Sequence, residues 1–224
     1  NTLGCSSVKT ITVNANPTVT GTTSLCVGSS VPLTGSGTPA ASNPWVSSNA
    51  TIASVSNTGV VTGIAAGNAI ITYTNNNGCS AISNVIVNAN PTVTGANSVC
   101  IGATTQLTGS ATAATTNAWV SSNTSVSTVS NTGLVSGVAA GTASITYTNN
   151  LGCTTVKTIT VNANPTVTGS VSLCAGGTSQ LTGSGTAATT NAWVSSNTSV
   201  ATVSSTGLVT GVAAGTAIIT YTNN

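Results

Sequence analysis

A single 74-residue unit is written three times along this chain without insertion or deletion, and that repetition limits the fold more than any other feature. Trp45, Trp119 and Trp193 recur at this spacing, as do Tyr73, Tyr147 and Tyr221. Two cysteine series keep the same interval: Cys5, Cys79 and Cys153 form one, and Cys26, Cys100 and Cys174 the other. The entry segment NPTVTG begins at Asn16, Asn90 and Asn164. Self-similarity at a fixed period means one structural unit repeated in space. The interval is too long for a helical or leucine-rich solenoid repeat and suits a small domain with a core of its own.

The side chains decide what the unit folds into. Val, Ile and Thr are stiff at χ1 and fit the pleated strand. Glu and Arg are absent, Lys and Gln are scarce, and no apolar stripe of period 3.6 runs through the sequence. The chain therefore reads as all-β. Disordered chains combine low hydrophobicity with high net charge, whereas this one is 39% hydrophobic with a formal charge of +2. Its apolar residues also fall at recurring positions, as a core requires.

Taken in order, residues 1–15 read as a final strand and linker belonging to a preceding or neighbouring unit. Domains follow over residues 16–89, 90–163 and 164–224, the last without its final strand. Asn14, Ala15, Asn16 and Pro17 form a linker stiffened by the fixed φ of proline. In the first unit, residues 18–20 and 24–27 make an opening strand broken at Gly21. Residues 31–33 begin the next strand, where Pro32 marks an edge or bulge. Trp45 and Val46 lie on the third strand and residues 52–56 on the fourth. Asn57, Thr58 and Gly59 signal a hairpin, because Asn and Gly tolerate positive φ. Ala69, Ile71 and Tyr73 alternate and share one face. Ile70 lies on the wet face, since its counterpart is Ser144. Val85 and Val87 supply the inward face of the last strand. About seven short strands, turns every 8–12 residues and one central Trp describe a β-sandwich. Trp45, Trp119, Trp193, Tyr73, Tyr147 and Tyr221 are the expected core aromatics.

The stretch WVSSNTSVSTVSNTGLVSGVAAGTASITYT, residues 119–148, and its two copies resemble the bacterial immunoglobulin-like domain, group 2. That family pairs a Trp-Ser-Ser strand with a Val-Ala-Ala-Gly-Thr-Ala turn and strand, and Gly102 and Leu107 fit its opening. The resemblance implies tandem Ig-like sandwiches joined end to end as a rod on a bacterial surface. There such domains act as stalks of adhesins and of intimin- or invasin-like proteins. The chain departs from the family in having no acidic residue, and a cysteine pair in every unit is not a general family feature.

Cysteine pairing therefore has to be argued from topology. No His or carboxylate stands by to share a metal, which favours disulfides and an oxidising, extracellular setting. Cys26 precedes the second strand and Cys79 opens the seventh. In an Ig-like sandwich those turns lie at opposite poles, roughly 25 Å apart along a strand, while bonded cysteines need Cα atoms about 6 Å apart. A short linker brings the Cys26 pole of one unit beside the Cys153 turn of the next, so Cys26 with Cys153 is one expectation. Pairing within units, Cys26 with Cys79 and Cys100 with Cys153, is a second, reachable if the first strand shifts. Cys5 with Cys26 is a third, if the linker is a hairpin turn.

The residues missing from the chain exclude several kinds of chemistry. General acid–base catalysis needs a proton-exchanging group near neutral pH, and Asp, Glu and His are all absent. Ser and Thr nucleophiles need an activating base. Only Lys9 and Lys157 are on hand, in equivalent strand positions where solvation is expected and where the middle unit carries Ser83. Calcium sites need several oxygen ligands, usually carboxylates, and two lysines do not neutralise a phosphate backbone. No enzyme, cofactor, metal site or nucleic-acid partner is expected. No apolar run reaches the roughly 18–20 residues of a membrane span. The start lacks the basic flank and apolar centre of a signal peptide, so the sequence reads as a mature product or a window of something longer. Asn49, Asn123 and Asn197 fit Asn-x-Ser/Thr and are candidate glycosylation sites. Two roles fit these readings. One is a structural filament or adhesin stalk whose partners are further copies of the domain, with the spare strand of residues 1–13 completing an open third unit of another molecule. The other is a module that binds host or cell-surface glycans.

Overall fold

The computed structural model describes Gly4 and residues 6–224. In the first repeat eight strands form in order: β1 (Val19–Gly21), β2 (Ser24–Cys26), β3 (Ser30–Gly35), β4 (Trp45–Ser47), β5 (Ala53–Val55), β6 (Val60–Gly63), β7 (Gly67–Thr74) and β8 (Ser80–Asn88). They build two four-stranded sheets of order β1-β3-β6-β5 and β2-β8-β7-β4. The break at Gly21 has a purpose that the sequence does not reveal, since it sends the two halves of the opening segment to different sheets. Every pairing is antiparallel except that of β2 with β8.

Period-2 alternation sorts each strand into a wet and a dry row. Along β7, Ala69, Ile71 and Tyr73 are buried while Ile70 is exposed; Val85 and Val87 are buried on β8. Leu33, Ala53 and Val61 close the core from the opposite sheet, and Leu25 and Trp45 complete it. Trp45 and Tyr73 are direct cross-strand partners with ring centroids 4.7 Å apart. The same pair recurs as Trp119 with Tyr147 and Trp193 with Tyr221, at 4.5 and 4.6 Å. Such contacts add about 0.5–1.5 kcal/mol beyond the area they bury. Two glycines make room for these rings. An added Cβ on Gly35 would come 2.5 Å from the Tyr73 ring, and one on Gly59 would come 2.9 Å from Trp45. Gly59 also takes a φ of +83° in the β5–β6 hairpin, whereas Asn57 keeps a negative one.

The second repeat contains β9 (Val93–Thr94), β10 (Ser98–Cys100), β11 (Thr104–Gln106), β12 (Thr108–Gly109), β13 (Trp119–Ser121), β14 (Ser127–Val129), β15 (Leu134–Gly137), β16 (Gly141–Thr148) and β17 (Thr154–Asn162). Here the counterpart of β3 is two strands split at Leu107. The same seam in the first repeat accounts for Pro32, which sits on an internal strand but itself has a ladder partner on β6 alone, a local edge position. Residues Ser30, Val31 and Pro32 pair with β6, and Leu33, Thr34 and Gly35 pair with β1. The proline stands where the strand passes from one neighbour to the other, so its missing N–H falls at the seam between the two ladders.

The third repeat forms β18 (Val167–Thr168), β19 (Thr178–Gln180), β20 (Thr182–Gly183), β21 (Trp193–Ser195), β22 (Ala201–Val203), β23 (Leu208–Gly211) and β24 (Ile219–Tyr221). Among the described residues it has no counterpart of β8 or β17, and its neighbours shrink accordingly. Residues 172–174 form no strand where β2 and β10 stand, and β24 keeps 3 residues where β7 and β16 have 8. Residues 6–13, read from sequence as a strand, form none either. Their sequence alternates correctly, but they have no partner to supply a ladder, and Val8, Ile11 and Val13 are 99%, 78% and 89% exposed.

One core position breaks the apolar rule. Ser127 is fully buried and its hydroxyl finds no hydrogen-bond partner, whereas the equivalent residues are Ala53 and Ala201. Leaving a buried hydroxyl unsatisfied costs about 1–3 kcal/mol. Ser127→Ala is expected to stabilise the second repeat by about 1 kcal/mol, seen as a higher midpoint in chemical unfolding; a lower midpoint would show that the hydroxyl is bonded.

Candidate functional site

The most distinctive chemistry in the molecule lies where the first repeat meets the second. Cys26 ends β2, held there by the parallel pairing of Cys26 with Asn88 at the end of β8. A tight turn comes next, in which Ser29 N–H donates to the Cys26 carbonyl at 3.0 Å and Gly28 N–H donates to Gly63 at 2.9 Å. The linker is fastened to the same pole: Asn90 Nδ2 donates to the Val27 carbonyl at 3.1 Å, and Val27 N–H to the Asn88 carbonyl at 3.0 Å. From the second repeat, the β16–β17 turn reaches the same spot. The buried side chain of Asn149 shapes that turn, its Oδ1 accepting from Leu151 N–H at 3.0 Å and Cys153 N–H at 2.9 Å.

Cys26 and Cys153 are joined there as a disulfide, with Cα atoms 5.5 Å apart and a sequence separation of 127. The bond therefore crosses from one repeat to the next. Because Cys26 is committed to it, the alternatives fail. Cys26 does not bond Cys79 or Cys5, and Cys153 does not bond Cys100. The physical reason is the one that separates the poles of a sandwich: Cys79 stands just before β8 begins and Cys26 pairs with Asn88 at its far end, a full strand apart. Cys79, Cys100 and Cys174 carry free thiols, Cys79 half-buried and the other two exposed. Cys5 lies outside the described residues. A link closing so long a loop withdraws about 5 kcal/mol of chain entropy from the unfolded state in the simplest treatment.

The three tryptophans and three tyrosines lie buried in the three cores, so no indole face is presented to a sugar. Tyr73 and Tyr221 hydroxyls donate to the carbonyls of Gly37 and Gly185 at 3.2 and 3.4 Å, and Tyr147 donates likewise to Ala111. Asn49, Asn123 and Asn197 are exposed, each opening a turn with its own side chain. Asn49 Oδ1 accepts from the backbone and hydroxyl of Thr51, Asn123 from Ser125, and Asn197 from Ser199. Lys9 is exposed but stands on no strand, while Lys157 is half-buried on β17 opposite Ile145. Its position belongs to the inward row of that strand, close to where the row reaches the edge of the core.

Residues 164–224 contain no counterpart of β8 or β17, and the flank of the third repeat beside β24 is accordingly uncovered. A groove of about 900 Å³ runs there, lined by Leu173, Cys174, Leu181, Val209, Ala217 and Ile219 among others. In the second repeat the corresponding space is filled by Ile159 and Val161 of β17, and in the first by Val85 and Val87 of β8. The period locates this gap in the sequence but gives no measure of how apolar the exposed flank is.

The two facing sheets of the first repeat, its β2–β8 pairing and the Trp–Tyr pair buried in every repeat define a chain of immunoglobulin-like sandwiches. The sequence matches the model of the bacterial Ig-like domain (group 2) over residues 7–86, 84–161 and 155–224, and the chain belongs to that family. Among solved structures it is similar to a C-terminal intimin fragment in complex with the intimin-binding domain of the translocated intimin receptor. That likeness has 14% identity and a TM-score of 0.45, and covers 69% of this chain and 67% of that one. It is similar to invasin, a bacterial integrin-binding protein, at 17% identity and a TM-score of 0.33, over 88% of this chain and 53% of that one. It is also similar to domains 4 and 5 of the S-layer protein SbsC, at 21% identity and a TM-score of 0.32, over 66% and 98% of the two chains. No curated protein matches the chain.

The double variant Cys26→Ser with Cys153→Ser is expected to lose about 2–4 kcal/mol, lowering the guanidinium midpoint of the first two repeats. An unchanged midpoint would mean that the junction holds the repeats without its disulfide.

Proposed function

We propose that this chain is a structural repeat region of an extracellular bacterial surface filament or adhesin stalk, whose task is to hold successive sandwiches in line. The observation that carries this reading is the disulfide between Cys26 of one repeat and Cys153 of the next. A staple across a junction restrains how two domains swing about their linker, which matters to a spacer and little to a domain that works alone. The linker hydrogen bonds from Asn90 to Val27 and from Asn164 to Ile101 act in the same sense at both junctions. Membership of the bacterial Ig-like family supports the reading. So does a composition without Asp, Glu or His, because a surface free of these groups responds little to salt or to acid. An oxidising, extracellular setting agrees with the disulfide.

In its finer form the proposal is head-to-tail assembly by donor-strand complementation. Val8, Ile11 and Val13 stand in the register of Val156, Ile159 and Val161, and all three are exposed. Ile11 and Val13 therefore have the spacing needed to fill the groove of the third repeat. Light scattering and negative-stain microscopy of residues 1–224 beside residues 14–224 test this. Elongated oligomers from the first and monomers from the second are expected. Identical behaviour of the two would refute donor-strand assembly and leave the stapled stalk to be judged on its junction.

A further inference from the structure

We propose a second task for the Cys26–Cys153 disulfide: it is the link through which pulling force crosses the first two repeats, so that both stay folded while the chain bears tension. The proposal takes its purpose from the stalk reading above, because a stalk is pulled whenever what it connects moves apart. Its mechanics depend on the fold alone.

The route is set by where the bonded residues stand. At one pole of the first sandwich the Asn14 carbonyl lies 3.8 Å from the sulfur of Cys79, the residue just before β8. Cys26 pairs with Asn88 at the far end of β8, at the other pole. The chain between them, residues 15–25, therefore crosses the first sandwich once, through β1 and β2. From Cys26 the disulfide leads directly to Cys153, just before β17 begins. β17 crosses the second sandwich in turn and ends at Asn162, which pairs with Cys100. Asn164 Nδ2 is fastened at the same pole, donating to the Ile101 carbonyl at 3.2 Å. Two extended runs and one S–S bond thus make a covalent path through both sandwiches.

Everything else in these two repeats hangs on that path as a closed loop. The disulfide joins the two ends of residues 27–152, and a loop closed on itself gains no length from tension applied outside it. Inside it lie β3 to β16, most of both sandwiches. The ladders that hold the loop to the path are intact: β1 pairs with β3, β2 with β8, and β17 with both β16 and β10. β17 is loaded at its two ends along its own axis, and neither of its ladders has to break for the force to pass. Forced unfolding proceeds at the unfolding rate of the element that bears the load. While the bond holds, the two repeats accordingly unfold only at their resting rates.

Without the bond the load goes another way. Force then enters the first repeat through β2 and leaves through Asn88, so that it acts across the parallel β2–β8 ladder. Ser24 with Ile86, Leu25 with Val87 and Cys26 with Asn88 are sheared together, along with the hydrogen bond from Asn88 Nδ2 to Ser24 Oγ at 2.8 Å. β10 and β17 stand in the same relation in the second repeat. Each sandwich then becomes a separate unit that yields on its own.

The test pulls single molecules of the full chain between handles attached to alkyne side chains that replace Ala15 and Ala163, both exposed linker residues. Free thiols are alkylated beforehand. Each molecule is held at a constant force at which the reduced repeats take seconds to unfold, and a dithiol reductant is then admitted. With the bond intact no step is expected. Fully stretched chain measures about 3.3–3.6 Å per residue, so residues 27–152 hold about 42–45 nm in reserve. After reduction that length should appear as two separate steps of about 20 nm, one per repeat. Cys26→Ser with Cys153→Ser should show the same two steps without reductant. A single step of the whole reserve on reduction would mean that the repeats had already unfolded inside the loop, and would overturn the proposal. Steps of one repeat's length before reduction, or no lengthening after it, would overturn it equally. None of these results bears on the stalk itself, which is refuted instead if immunogold labelling of intact cells finds the chain away from surface filaments and stalks.

Discussion

The last strand of each complete repeat is the element on which the rest of that sandwich depends, because it is paired along both of its edges. β8 zips to β7 over 8 residue pairs on one side and to β2 on the other, and β17 does the same with β16 and β10. Residues 164–224 include no such strand, and the sheet around its place differs accordingly. Their sequence through Thr222 closely matches the other two repeats, yet the flanking strand of the sheet shortens and the β2-type segment has no ladder to join. Leu173, Ala217 and Ile219, whose equivalents are buried, become half-exposed. Local propensity in residues 172–174 and 215–218 is not enough to make a strand. A strand is a paired object, and its hydrogen bonds must go somewhere.

The same strand sets the junction. Its final residue fixes the position of the β2-type cysteine, and its opening turn carries the other cysteine at the opposite end. A sandwich built this way has one cysteine at each pole. Two such sandwiches in tandem, joined by a short proline-containing linker, bring unlike poles together. The disulfide between repeats is therefore a consequence of topology and linker length, and it adds a covalent restraint to the linker amide bonds. For a small domain with a limited core such a staple stabilises as well as orients.

Much of this is legible in the sequence, and what is legible shares a cause. The period, the alternation of Ala69, Ile71 and Tyr73, and the inward pair Val85 and Val87 are local patterns, and local patterns report which face a residue takes. What the sequence leaves open depends on long-range placement. Cys26 has three partners consistent with its neighbours, and only the position of a second domain selects Cys153. Pro32 reads as an edge or bulge residue, and only the structure shows that its edge is local, the seam between two ladders on an internal strand. Lys157 reads as solvated and is half-buried, since the inward row of β17 continues past the end of the core. Asn43, Asn117 and Asn191 take positive φ, and the recurrence of Asn at each of those positions is the one sequence signal for it. Residues 6–13 have every mark of a strand except a partner.

The central claim is that the disulfide fixes the second repeat relative to the first. Residual dipolar couplings measured on the two repeats in one aligned sample test it most directly. With Cys26 and Cys153 bonded, a single alignment tensor should fit both sandwiches, and after reduction each should need its own. Separate tensors while the bond is intact would contradict the account.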